Sequence, residues 1–436
     1  MQLPEEFVER TRTTMGERLF AQFLQGLDEE PPVTIRLNPL KCYYMPFDFE
    51  RRVPWCNTGF YLNTRPQFTF DPLFHAGLYY VQEASSMFVH EVLRQLVPEP
   101  VLMLDLCAAP GGKSTVARTC LPQGSVLVCN EPVGRRAQVL AENMQKFGHR
   151  EVFVTNNMPR DFRKSKLMFD VVLCDVPCSG EGMFRKDEDA IREWSPRHVE
   201  KCWRLQREIV SDIWSQLRDG GLLIYSTCTF NILENEENVR WICQELGATM
   251  VSVETKPEWN ISGSLLPGFE GPVYRFIPGK SCGEGLFVAV MRKGSLPIED
   301  RIAEVTHDQS PKGQKLRLQD LRALKVLHAG VTVDAAQDPK TVPSPALAML
   351  AALDKDAYPR VELNWQDAIR YLRGESLTLP ADTPRGFVVV TYYHVALGFV
   401  KNIGSRANNL YPDAWRIRST HIPQEPPVVL DLPNSH

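Results

Sequence analysis

Two cysteines and an aspartate define the chemistry open to this sequence. Asp175 and Cys178 lie in FDVVLCDVPCSG, and Cys228 lies in GGLLIYSTCTF. Each of the three comes at or just past the end of an apolar, β-like run. In an α/β sheet such strand ends share one edge, and ligands bind in the crevice outside it. Inert packing is the ordinary fate of a buried cysteine, and it suits Cys129, Cys174, Cys202 and Cys243. It suits Cys178 and Cys228 poorly, because both fall on the crevice side. A thiolate there is a nucleophile, and a second thiol can assist departure of what the first has attacked.

A second group of residues reads as a cofactor cradle. Val101–Lys113, VLMLDLCAAPGGK, is an apolar run that stops in a turn of small residues. The turn, Cys107, Ala108, Ala109, Pro110, Gly111, Gly112 and Lys113, lets a ligand approach the backbone at the start of a helix. A tight strand-to-helix connection looks the same. The next β-like run ends at Glu131, about 20 residues past the turn, where a dinucleotide fold places the acid that binds ribose hydroxyls. The run after that ends at Asn156 and Asn157, whose amides suit an adenine edge. A solvated acid and an ordinary loop asparagine are the plain alternatives.

Together these groups narrow the chemistry. There is no G-x-G-x-x-G, and hydride transfer needs no pair of thiols. S-adenosyl-L-methionine offers a ribose to Glu131, an adenine to Asn157 and a sulfonium that tolerates a nearby carboxylate. Cytosine C5 is a poor nucleophile until a thiolate adds to C6. One thiol would then be the nucleophile and the other an aid to adduct breakdown, with Asp175 near N3.

The elements that must position these residues alternate. Strands are expected at residues 101–106, 125–130, 151–155, 169–175, 221–226, 249–254 and 285–291, and helices at 113–120, 134–147, 196–218 and 234–246. This pattern predicts an α/β, Rossmann-like domain with a largely parallel sheet. Apolar spacing predicts a helix over Glu5–Leu27, and Gly77–Met87 is expected to lead into another. VTIRLNPLK carries Arg36, Asn38 and Lys41, either a strand and polar turn or an edge that touches a phosphate backbone. The stretch PKGQKLRLQDLRALK sets Lys312, Lys315, Arg317, Arg322 and Lys325 against Asp320, a solvated face or a phosphate track. In the tail, GFVVVTYYHVALGFVKN predicts a hairpin turning at Tyr393-His394. Asn408, Asn409, Tyr411, Trp415, Arg416 and Arg418 follow, suited to RNA or to a core. The expected division is 1–95, an N-terminal RNA-binding or accessory domain; 96–293, the Rossmann-like domain; 294–335, a basic linker; and 336–436, a further small domain.

Composition sets outer bounds. The chain has 436 residues, 43% hydrophobic and 23% charged, which is ordinary for a globular protein. A net charge of −4 means that any polyanion must be met by a local basic surface. Eleven cysteines without a C-x-x-C pair suggest a reducing cytoplasm, with neither a disulfide framework nor a zinc site. No secretory signal or membrane span is expected.

At these residues the sequence resembles the Nop/Sun-type RNA cytosine-C5 methyltransferases, and within them the bacterial RsmF (YebU)-like branch that acts on small-subunit ribosomal RNA. The resemblance rests on DLCAAPGGKST (Asp105–Thr115), CDVPCSGEGMFRKD (Cys174–Asp187) and STCTFNILENEENV (Ser226–Val239), with IRLNPLK and YYVQEASSM before them. GFVKNIGSRANNLYP is similar to the branch's PUA-like RNA-binding domain. The resemblance implies a class I S-adenosylmethionine-dependent methyltransferase domain, a small α+β N-terminal domain and a PUA-like C-terminal domain. It implies Cys228 as nucleophile, Cys178 as the cysteine of product release and Asp175 as catalytic acid. The cofactor falls on Cys107–Lys113, Glu131, Asn157 and Asp175. A cytoplasmic monomer on 16S rRNA, with no metal or membrane, is the expectation. Transfer RNA or DNA as substrate, a non-catalytic ribosome-assembly factor and a Rossmann oxidoreductase are the alternatives. The sequence departs from the family at Asn157, often Asp, at Val176, usually Ala, and at Gly279, usually His.

Overall fold

The computed structural model describes residues 2–42, 51–294, 318–331 and 341–430. Lys312, Lys315 and Arg317 lie outside the described residues. In the N-terminal region α1 (Glu5–Asp28) is broken at Gly16, whose φ is 73°. It precedes a three-stranded sheet ordered β2-β1-β3, with β1 (Val33–Leu37), β2 (Gly59–Leu62) and β3 (Tyr79–Val81). A short helix, α2 (Pro72–His75), lies between β2 and β3, and α3 (Val89–Leu96) leads into the next unit. Part of the stretch expected to lead directly into a helix is therefore the strand β3. Glu83 instead starts a helical turn by accepting from the backbone N–H groups of Ser85 and Ser86, at 2.8 and 2.9 Å.

The central sheet is built from β4 (Leu102–Asp105), β5 (Val126–Asn130), β6 (Val152–Thr155), β7 (Phe169–Asp175), β8 (Leu217–Thr227), β9 (Ala248–Met250), β10 (Val273–Phe276), β11 (Leu286–Lys293) and β12 (Val326–Ala329). Their order is β10-β11-β8-β7-β4-β5-β6-β12, with β9 on β11. The five strands β4 to β8 are parallel where they pair, and the other pairings are antiparallel. Helices α4 (Gly112–Cys120), α5 (Gly134–Phe147), α6 (Glu188–Glu193), α7 (Pro196–Trp214) and α8 (Glu236–Glu245) fill the crossovers. Burial on both faces explains why these strands are apolar runs without alternation. Met103, Leu127, Val171 and Ile224 pack into one face, and Leu104, Val128, Val172 and Leu223 into the other. Such alternation of side chains is the pleat of a strand.

Two strands were not legible in the sequence. β10 contains Arg275, which reads as a surface residue but is buried and ion-paired to Glu236. β12 lies inside the stretch read as a basic linker, and pairs with β6 while Leu321 and Leu324 enter the core.

The VTIRLNPLK edge does not face outward. Arg36 is fully buried, donating from Nε to Gln82 Oε1 at 2.9 Å and from Nη2 to Thr115 Oγ1 at 2.5 Å. Asn38 Nδ2 donates to the carbonyls of Gly77 and Phe147, both at 2.9 Å. Lys41 Nζ donates to the carbonyls of Ala76 and Lys146, both at 2.7 Å. These three residues are occupied in docking the N-terminal sheet onto α4 and α5, which leaves them no part in phosphate contact. Similarly, Gly279 sits where a Cβ would lie 2.1 Å from the carbonyl oxygen of Gln22, so the absent histidine has no room beside α1.

The C-terminal unit comprises α9 (Pro345–Met349), β13 (Arg360–Glu362), α10 (Trp365–Leu372), β14 (Gly386–Tyr392), β15 (Val395–Asn402) and β16 (Ala407–Asn409), in the sheet order β13-β14-β15-β16. The expected hairpin is β14–β15, and Tyr393 and His394 form its turn with φ of 47° and 62°. Tyr411 and Trp415 are core residues, shared in one apolar cluster with Ile35, Phe60 and Phe70 of the N-terminal region. His394 and Arg418 remain exposed.

Burial pulls the Lys41 ammonium down to about 7. Above that pH the folded chain has released a proton that the unfolded chain keeps until about pH 10, so this group's contribution to stability rises with pH by about 1 kcal/mol per unit. Urea-unfolding midpoints of the wild type should climb relative to Lys41→Met between about pH 7 and pH 9. A constant difference would contradict a docked lysine.

Candidate active site

The chain runs from β4 outward through β5 to β6, then returns to place β7 on the other side of β4. Such a reversal opens a crevice at the strand ends. The turn after β4 and the loop after β7 border it. Gly111, with φ 114°, and a cis Ala109–Pro110 bond shape the turn before α4 begins at Gly112. Ala109 O accepts from Arg136 at 3.0 Å and Pro110 O from Asn143 Nδ2 at 2.8 Å, both from α5. Ala108 N–H donates to Asn130 O at 2.8 Å. The Cys107 side chain belongs to the core, and burial pushes its thiol well up, so its backbone alone is available to a ligand.

Glu131 is buried at the end of β5. Its Oε1 accepts from Val133 N–H at 3.0 Å, while Oε2 has no hydrogen-bond partner. Asp105, at the end of β4, accepts from Ser114 Oγ at 2.6 Å through Oδ2, and its buried Oδ1 is also unpartnered. Burial pushes the Asp105 carboxyl up to about 7. Two buried oxygens left open beside a small-residue turn fit a ligand that brings hydroxyl or ammonium donors. Val133 and Met158, just beyond the ends of β5 and β6, are 51% and 47% exposed, apolar surfaces suited to the faces of a flat ring. Sequence reasoning passed over Asp105, Val133 and Met158 as ligand groups, although each stands beside a strand end that it had singled out.

Asn157 differs from its expected use. Its Oδ1 accepts from the backbone N–H of Lys325 at 2.9 Å, and its Nδ2 donates to the Lys325 carbonyl at 3.2 Å. Asn130 takes up its main chain. The amide thus fastens the approach to β12. Lys325 itself reaches Asn156 Oδ1 with Nζ at 2.8 Å.

The structure brings Cys178, Cys228 and Asp175 to the same edge. The two Sγ atoms are 3.0 Å apart, and Cys228 N–H donates to Cys178 Sγ at 3.3 Å. The hydrogen bond with Cys228, then burial, hold the Cys178 thiol well above its ordinary range. Asp175 Oδ1 accepts from Ser226 Oγ at 2.7 Å, and Oδ2 pairs with Lys113 Nζ at 2.9 Å. Burial alone would lower the Lys113 ammonium, but Asp175 outweighs it and the net direction is up, with Cys228 contributing. A lysine expected only as part of the cofactor turn thus supplies the site's cation. Among the described residues no group of three or more His, Cys, Asp or Glu side chains is arranged to hold a metal, and no helix is long and apolar enough to cross a membrane.

Comparison with known proteins finds relatives over almost the whole chain. Residues 94–292 match the family model of 16S rRNA methyltransferase RsmB/F. Residues 3–84 match the N-terminal domain of 16S rRNA methyltransferase RsmF, and residues 358–417 the methyltransferase RsmF PUA domain. The ribosomal RNA small subunit methyltransferase F of Escherichia coli is 31% identical over 94% of this chain and 95% of the relative. That of Shigella boydii is also 31% identical over the same shares. Among solved structures, a methyltransferase homologue from Pyrococcus horikoshii aligns with a TM-score of 0.57 at 24% identity, covering 66% of this chain and 95% of its own. NSun6 from Pyrococcus horikoshii, solved with SFG, aligns at 0.55 and 20%, covering 67% and 99%. These two likenesses concern the fold. With its three regions matched in order and the relatives covered nearly end to end, the chain belongs to the RsmF family of small-subunit ribosomal RNA methyltransferases.

Proposed function

We propose that this chain methylates C5 of a cytosine in small-subunit ribosomal RNA, with S-adenosylmethionine as donor and Cys228 as covalent nucleophile. The observation that carries the reading is the thiol pair, 3.0 Å apart, beside an Asp175 whose two oxygens are already oriented by Ser226 and Lys113. Family membership supports the donor and the RNA class, and the relatives' names support the small subunit. A ribosomal substrate places the work in the cytoplasm, and we take the working form to be a monomer.

The donor, when bound, supplies an electrophilic methyl group on a sulfonium. Glu131 Oε2 is free to accept from ribose hydroxyls, the turn from Cys107 to Lys113 offers its backbone, and Val133 and Met158 flank the adenine. The target cytosine must leave its stack to enter the crevice. Cys228 adds as a thiolate to C6, and the displaced electron pair builds enamine character at C5. N3 takes up a proton from solvent as charge builds there, Asp175 accepts a hydrogen bond from that N3–H, and the proton is given back when the S–C6 bond breaks. The C5 carbon takes the methyl group, then loses its proton to base. The S–C6 bond breaks, and the departing thiolate accepts a hydrogen bond from the Cys178 S–H. The N-terminal and C-terminal domains, packed together through one core, present RNA with a single surface rather than two tethered ones.

Two outcomes follow. Incubated with S-adenosylmethionine and undermodified small-subunit RNA, Cys178→Ala should accumulate a protein–RNA adduct that survives denaturing electrophoresis, and Cys228→Ala should give neither adduct nor product. The reverse pattern would make Cys178 the nucleophile. In calorimetric titration with S-adenosylmethionine alone, Glu131→Ala should bind about tenfold more weakly, roughly 1.4 kcal/mol. Unchanged affinity would remove Glu131 from the cofactor site.

A further inference from the structure

Beneath the thiol pair lie two buried carboxylates that the mechanism above does not use. Glu181 follows Cys178 in the loop after β7, and Glu234 follows Cys228 in the loop after β8. Glu181 is 1% exposed and Glu234 fully buried. Among the described residues, neither has a lysine or arginine as a hydrogen-bond partner. A buried carboxylate met only by neutral donors is costly unless its oxygens are well satisfied, and here they are satisfied in large part by the opposite loop, with Trp194 Nε1 also donating to Glu181 Oε1 at 3.0 Å.

Glu181 Oε2 accepts from Thr229 Oγ1 at 2.6 Å and from the backbone N–H groups of Phe230 and Asn231 at 2.8 and 3.0 Å. Those residues directly follow Cys228. Cys228 O in turn accepts from Gly182 N–H at 2.7 Å. Glu234 Oε2 accepts from Ser179 N–H at 3.0 Å and from Gln206 Nε2 at 2.7 Å. Gln206 Nε2 also donates to Pro177 O at 2.9 Å, so Cys178 is gripped on both flanks. Asn231 Nδ2 joins the carboxylates, donating to Glu181 Oε1 at 3.0 Å and to Glu234 Oε1 at 2.8 Å. Burial, and then Glu181, push the Glu234 carboxyl up to about 7.

We propose that Glu181 and Glu234 are paired positioning residues in which each carboxylate leaves the loop of one cysteine and fixes the loop of the other, so that Glu234 places Cys178 and Glu181 places Cys228. The two thiols serve opposite halves of the reaction, and the crossing therefore assigns each glutamate to one half. Glu181 governs adduct formation through the nucleophile. Glu234 governs adduct breakdown through the partner thiol. A main-chain bond from Gly182 N–H to Cys228 O already joins the two loops at one point. The crossed carboxylates hold the loops to each other, and hence the sulfurs at contact distance. Misplacement of a reacting group by about 1 Å can cost up to a hundredfold in rate.

This inference rests on the covalent reading above, and the experiment separates the two. Adduct formation and release are followed in single-turnover reactions of the full chain with S-adenosylmethionine and undermodified small-subunit RNA. Glu234→Gln should release its adduct about tenfold more slowly while forming it at the wild-type rate, so adduct accumulates. Glu181→Gln should form adduct about tenfold more slowly and accumulate none. A merely structural role would slow both steps together or reduce the folded fraction, which calorimetric titration with S-adenosylmethionine measures. Glu234→Asp, which keeps the charge and shortens the arm, is the parallel variant should the amide not fold, and it should also slow release. Equal effects on both steps, or no effect, overturn the assignment. Cys178→Ala is the control. Absence of adduct with that variant would sink the covalent reading, whereas adduct there with none accumulating in the Glu234 variants would sink this inference alone.

Discussion

The pairing of β7 with β4 is the constraint on which the site depends. Because the chain builds β5 and β6 to one side before returning, the loops after β4 and β7 diverge and leave a crevice between them. The next parallel strand, β8, then emerges beside β7, with Ser226 opposite Asp175 in the register. That register sets the Ser226–Asp175 hydrogen bond and delivers Cys228 to the loop carrying Cys178. Helix α1 supports the same loops from below: Phe7 packs edge-on to Phe184 at 5.0 Å and Phe23 to Phe230 at 4.8 Å. The N-terminal region thus acts on the catalytic loops through packing.

Much of this was legible in sequence because strand ends in a parallel sheet are marked twice, by the close of an apolar run and by small or proline-bearing residues after it. Asp175, Cys178, Cys228, Glu131 and the turn before Lys113 were found that way, and they meet at one edge. For Arg36, Asn38 and Lys41 the sequence left a strand and polar turn and a phosphate edge both open, because local polarity does not reveal docking. Their partners are carbonyls of Gly77, Phe147, Ala76 and Lys146, brought near only by tertiary structure. The partner of Asn157 was hidden for a related reason: the backbone that its amide meets belongs to Lys325, 168 positions away. Glu181 and Glu234 sat in full view within the motifs, but acids in loops look solvated until burial is known.

Some of the charge works inside the molecule. The chain's net charge of −4 gives it no general attraction to RNA. Several of its cations are withdrawn from the surface: Arg36 locks the N-terminal sheet to α4, Arg275 pairs with Glu236, and Lys113 pairs with Asp175. Buried cations of this kind fix relative orientation more than they add stability.

The strand β12 has a further consequence. Without it β6 would end the sheet, and its backbone would offer a template to any neighbouring chain. Exposed edges of this sort promote edge-to-edge association, and proteins blunt them with short or irregular strands. β12 is both: it spans Val326–Ala329, and its register with β6 slips between Val326 and His328. The segment that carries the chain toward its C-terminal domain therefore also covers the edge of the central sheet and guards the protein against sticking to itself.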